Sequence, residues 1–326
     1  MPYDVVSIGN AIVDLISKAD DAFIDAEGMR KGTMQLIDAD RSKALYGRMG
    51  HAVEISGGSG ANTMVGVAAL GGKAAFIGKV GNDKLGEIYS HEIKVAGVDY
   101  FGGTPSALPT AVSMILVTPD AQRTMNTYLG ACTDLGPEDV DPKVIADADL
   151  LYIEGYQWNT PRSKEAIRKA AAVAKQAGKK RALSLSDLFV IDSHYDDLTA
   201  LIRDEIDILF GNEAEVLRLT GKPDFDSAAR ELTSLKMMSV ITRGKEGAVV
   251  IDGGSVAAVP ASPVSQVVDT TGAGDLFAAG FLYGYTHGRT LVNCALLGAL
   301  AAGEIISHIG ARPEANLREL MTKAGL

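Results

Sequence analysis

The chain reads as an α/β protein with a doubly wound, mainly parallel sheet and a smaller β-sheet element attached to it. Between Leu150 and Phe210, short buried-looking runs alternate with segments of helical length. They are Leu150–Glu154, Arg162–Ala177, Arg181–Ser186, Leu198–Asp204 and Ile206–Phe210. Such alternation requires parallel strands joined by crossover helices. Second, Ala111–Val117 and Gln122–Tyr128 are separated only by Thr118-Pro119-Asp120-Ala121, turn chemistry that makes a hairpin. Third, no repeat, low-complexity tract or linker divides the 326 residues, so 1–326 is expected to be a single domain.

Composition narrows the function. A formal charge of −10 argues against a nucleic-acid groove, which needs a basic surface, but leaves room for a small phosphorylated ligand. No apolar run is long enough to span a membrane, and Met1–Ile8 has neither the basic nor the apolar region of a signal peptide. Cys132 and Cys294 show no metal or redox spacing, and the five histidines form no metal motif. A cytoplasmic location is expected.

Along the chain, Tyr3–Gly9 is a buried first strand that delivers Asn10 and Asp14 in the loop GNAIVDL. Both are ordinary turn formers and both are common ligand positions at strand ends. Gly32–Leu36 suits an edge strand, and Ala39–Met49 suits a helix. After Glu54-Ile55-Ser56, the string GGSGAN (Gly57–Asn62) opens an alanine-rich helix running to Leu70. A glycine-rich helix start is structural about as often as it is a ligand contact. It is neither a Walker A loop nor a GxGxxG fingerprint. Lys73–Val80 reads as a strand and Leu85–Ala96 as a helix. The hairpin and residues 15–37 together suit a small sheet over the mouth of a site.

Asp207–Glu215, DILFGNEAE, joins a strand to a helix whose first turn holds Asn212, Glu213 and Glu215. Acids there either complement the helix dipole or hold Mg²⁺ through waters. Val240–Ala248 is a strand followed by a turn with Thr242, Gly244 and Gly247. The most informative stretch is Val267–Gly280, VVDTTGAGDLFAAG, with a β-rich lead-in at Val264–Val268. Small residues at a strand-to-helix turn let an anion approach backbone N–H groups at the positive end of a helix. Asp275 sits beside that anion, where a carboxylate needs a reason; accepting the proton of an attacking hydroxyl supplies one. Helix Leu291–Ser307, flat and rich in small residues, suits packing on an adenine ring or on another helix.

DTTGAGD, GGSGAN, NEAE and the Gly81–Gly86 segment GNDKLG occur in the order found in the ribokinase (PfkB) family of carbohydrate and nucleoside kinases, which the chain resembles over nearly its whole length. The resemblance implies a three-layer α/β/α ribokinase-like sandwich with a small β-sheet lid, built from segments about 15–38 and 104–129. It implies Asp275 as base and Gly272, Ala273 and Gly274 as anion hole. Asn10, Asp14, Gly58 and Asn62 are then substrate residues; by their places on the hairpin and after a strand, Arg123 reaches the transferred phosphate or is a solvated charge, and Tyr156 is a further candidate substrate residue. Asn212, Thr242, Gly244, Gly247 and Gly274 become nucleotide residues. Glu215 would hold Mg²⁺ through water, while Asp269 and the Thr271 carbonyl would line a monovalent-cation (K⁺) site. The expected partners are ATP and a nucleoside or sugar, with no nucleic acid or membrane, in a monomer or homodimer.

LSLSDLF (Leu183–Phe189), DILFGNEAE and the Asn10/Asp14 pair are similar to the family's nucleoside-phosphorylating members, which implies adenosine as acceptor and a free furanose as the alternative. Gly155-Tyr156-Gln157-Trp158 sets two aromatic residues just after a strand, where they either stack on a purine or pack in the core or lid.

Overall fold

A computed structural model describes residues 3–120 and 122–326; Ala121 of the expected hairpin turn lies outside them. In the first strand Val5 and Val6 are both fully buried, yet they belong to two different cores. The same alternation recurs farther on, where Leu150 and Tyr152 face one core and Leu151 and Ile153 the other. A strand apolar on both faces must lie inside a sheet covered on both sides. These runs therefore produce a three-layer arrangement, with helices on each face.

The strands are β1 (Tyr3–Ile8), β2 (Ile12–Lys18), β3 (Met34–Leu36), β4 (Val53–Gly57), β5 (Ala74–Ile77), β6 (Val98–Phe101) and β7 (Ala111–Val117). Then follow β8 (Arg123–Tyr128), β9 (Ala148–Glu154), β10 (Lys180–Ser184), β11 (Ile208–Asn212), β12 (Met238–Thr242), β13 (Ala248–Asp252) and β14 (Ser255–Val259). The large sheet has nine strands in the order β14-β13-β12-β11-β10-β9-β1-β5-β6. It is parallel from β6 to β12, and the chain doubles back antiparallel through β13 and β14. Strand order reverses at β1, so the crevice between the carboxyl ends of β1 and β9 is where such a fold binds ligands.

A second sheet of five strands, β3-β8-β7-β2-β4, stands beside the first. Asp14 lies within β2, paired with Ile55 of β4 and Ser113 of β7, rather than in the loop expected for it. The sheet also recruits Val53–Gly57, which lies outside both segments expected in it. Val264–Val268 is the clearest departure. It forms no strand: the preceding strand ends at Val259, Pro260 and Pro263 follow it, and 264–268 pairs with no strand. The Val268 amide instead donates to the Ile306 carbonyl, 2.8 Å away, at the end of helix Leu291–Ile305.

That helix is held by its neighbour. A Cβ on Gly280 would come within 2.4 Å of the Leu297 carbonyl oxygen, and one on Gly298 within 2.7 Å of the Phe277 oxygen. The small residue Gly298 of Leu291–Ile305 therefore serves close packing against helix Ala273–Thr286, as the helix-packing reading expects. Among the described residues no helix is long and apolar enough to cross a membrane.

Candidate active site

Helix Ala273–Thr286 begins at Gly272, whose φ of +74° suits glycine and turns the chain into the helix. The amides of Ala273, Gly274 and Asp275 come first in that helix, where N–H groups have no intrahelical acceptor four residues back. The Asp275 carboxylate is fixed from the facing helix, Ser59–Leu70: Ser59 Oγ donates to Oδ1 at 2.6 Å and Asn62 Nδ2 to Oδ2 at 3.0 Å. Desolvation raises the Asp275 pKa, and the Ser59 and Asn62 hydrogen bonds pull it back. The Asn62 side chain is buried, and its Oδ1 has no hydrogen-bond partner. An orphaned acceptor in a cavity wall calls for a donor from a ligand.

Gly57 and Gly58 bring the second sheet against this helix. A Cβ at Gly58, where φ is +91°, would sit 2.1 Å from the Asn10 carbonyl oxygen, and one at Gly57 2.2 Å from Asp14 Oδ2. Desolvation pushes the Asp14 carboxyl up to about 7, against the lowering fields of Arg312 and Arg123. Asn10, at the end of β1, is anchored by Glu154 at the end of β9. Glu154 Oε1 accepts from Asn10 Nδ2 at 2.9 Å, and Oε2 accepts from the backbone amide of Gly60 at 2.7 Å. Burial raises Glu154 to about 7. Sequence reasoning passed over Glu154, although an acid closing the apolar strand LLYIE was a usable signal. Arg312, in an unremarkable turn, offered none.

The nucleotide-side residues differ among themselves. Asn212 caps helix Glu213–Thr220, and Glu215 completes a capping box. Glu215 Oε2 accepts from the Asn212 amide at 2.9 Å and Oε1 from Asn212 Nδ2 at 2.7 Å. Glu215 is only 6% exposed, and desolvation lifts its pKa to about 7. Thr242 and Gly244 line the same cavity as Asp275. Gly247 does not. Its Cβ position lies 2.0 Å from the Val259 carbonyl oxygen, so it is glycine for the close approach of β14.

Arg123 and Asp269 form a closed set. Arg123 Nε lies 2.8 Å from Asp269 Oδ1 and its Nη2 donates to Thr270 Oγ1 at 3.0 Å. Asp269 Oδ1 also accepts from the Thr271 amide and hydroxyl, and Oδ2 from the Gly310 amide. With a guanidinium already against Asp269, this donor set does not fit a monovalent cation. Arg123 is held by Asp269 rather than directed freely at a phosphate. Tyr156 lines the cavity and donates to Asp187 Oδ2 at 3.3 Å. Trp158 instead is 1% exposed, turned into the core under Lys164 and Arg168, so the stacking reading fails for it.

One cavity of about 540 Å³ unites these groups, Gly247, Trp158 and Asp269 excepted. Its floor carries Asp275, the Gly272–Gly274 turn, Asn62 and Asp14. Ile12, Met34, Leu36, Ile115, Met125 and Leu129, from or beside the second sheet, give it an apolar wall. A carboxylate beside the helix-start amides, of which Ala273's donates to the Thr270 carbonyl, under a sheet that covers the acceptor side, defines a phosphotransferase acting on an alcohol.

Comparison agrees. Residues 4–317 match the family model described as pfkB family carbohydrate kinase, and the chain belongs to that family. It is similar to the crystal structure of adenosine kinase from Sinorhizobium meliloti, at 50% identity and a TM-score of 0.94, covering 99% of this chain and 100% of that one. A probable sugar kinase from Rhizobium etli CFN 42 is 49% identical with a TM-score of 0.95, covering 100% and 99%. The adenosine kinase of Saccharomyces cerevisiae is 28% identical over 95% of this chain and 96% of its own length.

Proposed function

We propose that the chain transfers the γ-phosphoryl group of ATP to the 5′-hydroxymethyl of adenosine, giving AMP and ADP. One observation carries this reading: Asp275, the orphaned Asn62 Oδ1 and the apolar wall share a single cavity. A nucleoside needs both a polar cradle for its ribose and an apolar slot for its base, whereas a free sugar needs polar partners at the anomeric position. The names of the yeast and S. meliloti relatives support the same acceptor.

In this mechanism Asp14 and Asn62 accept hydrogen bonds from the ribose hydroxyls and hold the ring with its primary hydroxyl toward Asp275. Asp275 takes that hydroxyl's proton as the oxygen attacks phosphorus, and its burial-raised pKa brings it nearer the working pH. The Gly272–Gly274 amides hold the transferring phosphoryl, and the second sheet acts as a lid that keeps water out. Asn212, Thr242 and Gly244 are assigned to the nucleotide. Glu215 fits Mg²⁺ only through water, since both its oxygens already accept from Asn212; so held, the ion would neutralise charge on the phosphates. No step is assigned to a monovalent cation.

Adenosine, ribose and fructose compared side by side should give kcat/KM at least ~10²-fold higher for adenosine, the worth of a buried base. A higher value for either free sugar would replace this reading with that of a sugar kinase.

A further inference from the structure

Arg312 follows the turn at Gly310 and Ala311 and reaches back under the active site. Its Nε donates to the Ser56 carbonyl at 2.9 Å, and Nη2 reaches the same oxygen at 2.5 Å and Ser56 Oγ at 3.2 Å. Nη1 donates to the Ala61 carbonyl at 3.3 Å. Ser56 belongs to β4 of the second sheet and Ala61 to the first turn of helix Ser59–Leu70. The guanidinium therefore clamps the joint made by Gly57 and Gly58. All of these acceptors are neutral. Among the described residues no carboxylate forms a direct ion pair with this half-buried cation, so its charge is left for anions nearby.

Those anions are identifiable. Ser56 precedes Gly57, whose Cβ position lies 2.2 Å from Asp14 Oδ2, and Ala61 precedes Asn62, which donates to Asp275, so the guanidinium sits one residue behind the contacts of both carboxylates, and its field lowers both while Asp275 raises Asp14. Asp14 also meets Arg123 of β8, and Asp275 meets Ser59 and Asn62 of the facing helix and Glu154, Tyr152 and Tyr156 from the β9 side. On its outer side Arg312 lines a second cavity, of about 620 Å³, with Glu54, Ile55, His91 and Glu92. There Glu92 Oε2 accepts from the Ser56 amide at 2.8 Å.

We propose that Arg312 is a positioning residue for the transfer: clamped between β4 and helix Ser59–Leu70, it supplies the positive charge that favours the ionised forms of Asp14 and Asp275. This rests on Asp275 being the base. Burial alone pushes both carboxyls up, and Arg312 lowers both. Removing the charge raises their pKa values, so the ionised pair appears only at higher pH. The acid limb of the kcat/KM profile must then move upward.

The test is kcat/KM for adenosine against pH in the parent, Arg312→Gln, Arg312→Lys and Glu92→Gln. Arg312→Gln should move the acid limb up by about one pH unit, and Arg312→Lys, which keeps the charge, by less than about 0.3. Glu92→Gln keeps an acceptor for the Ser56 amide while removing an anion whose negative charge offsets Arg312's at the clamp. It should move the limb down by a few tenths of a unit, roughly. A limb at the parental pH in folded Arg312→Gln, however low its rate, overturns the proposal. Should Arg312→Gln fail to fold, Glu92→Gln decides, and an unmoved limb there is the contrary result. Asp275→Asn run alongside separates the two readings. If it is inactive while the Arg312→Gln limb stays put, the base stands and Arg312 falls. If it works at the parental rate, the base reading itself is gone.

Discussion

Two glycine turns open helices at the site, and one glycine among them stands apart. At Gly57–Gly58 the fold leaves no room: a Cβ would meet Asp14 or the Asn10 backbone, and Gly58 has a left-handed φ. Gly272 of the second turn is likewise required, by its φ of +74° and by Ala311 Cβ 2.9 Å from its Cβ position, but at Gly274 a Cβ would meet no heavy atom within 4 Å, and φ is not left-handed. Nothing in the packing asks for glycine there. An exposed first-turn helical position that the fold would let be alanine, yet is glycine, is one whose open side faces a ligand. Glycine in a motif is thus evidence of function only where structure fails to require it.

Four substitutions sharpen or break that contrast. The largest effect is expected at the group both turns serve. Asp275→Asn should lower kcat by ~10²–10⁴-fold while ATP still binds, read by single-turnover assay and calorimetry. Near-parental turnover would remove the base. Gly58→Ala should cost about 2–4 kcal/mol of stability, from strain at positive φ and the approach to Asn10, visible in denaturant unfolding. An unchanged midpoint would mean that the joint is slack.

Gly274→Ala should do the opposite. Its helix propensity gains about 0.5–1 kcal/mol, so thermal stability should hold or rise, while kcat falls at least ~10-fold as a methyl group enters the anion site. Loss of stability with retained activity would reverse the comparison. Glu215→Gln keeps one oxygen to accept from the Asn212 backbone amide and should raise the Mg²⁺ concentration giving half-maximal rate by a few-fold, roughly. An unmoved titration would leave Glu215 as a helix cap only.

The large sheet was legible because its strands are apolar on both faces, a pattern that Leu150–Glu154 and Ile206–Phe210 display openly. The second sheet was harder. Asp14 sits in a run that begins with the turn formers Gly9 and Asn10, and β4 carries exposed Val53 and Glu54, so neither shows a clean alternation. The lead-in at Val264–Val268 has β-branched residues but no partner strand, and propensity without pairing does not make a sheet. Asp275, Asn62 and Asp14 were readable through their motifs. Glu154 and Arg312 were not, since each is a single charged residue whose meaning depends on what lies 94 residues away at Gly60 or 256 away at Ser56. Tyr156 and Trp158 shared one reading, yet the chain turns between them sends one to the cavity and the other to the core.

The central claim is phosphoryl transfer to a nucleoside primary hydroxyl at Asp275. Its most direct measurement is the product. Parental protein with ATP, Mg²⁺ and adenosine should yield AMP, phosphorylated at the 5′ carbon by ³¹P NMR, in equal amounts with ADP and without free phosphate. ATP consumed to ADP and free phosphate with no AMP formed, or phosphate found on a ring hydroxyl instead, would contradict it.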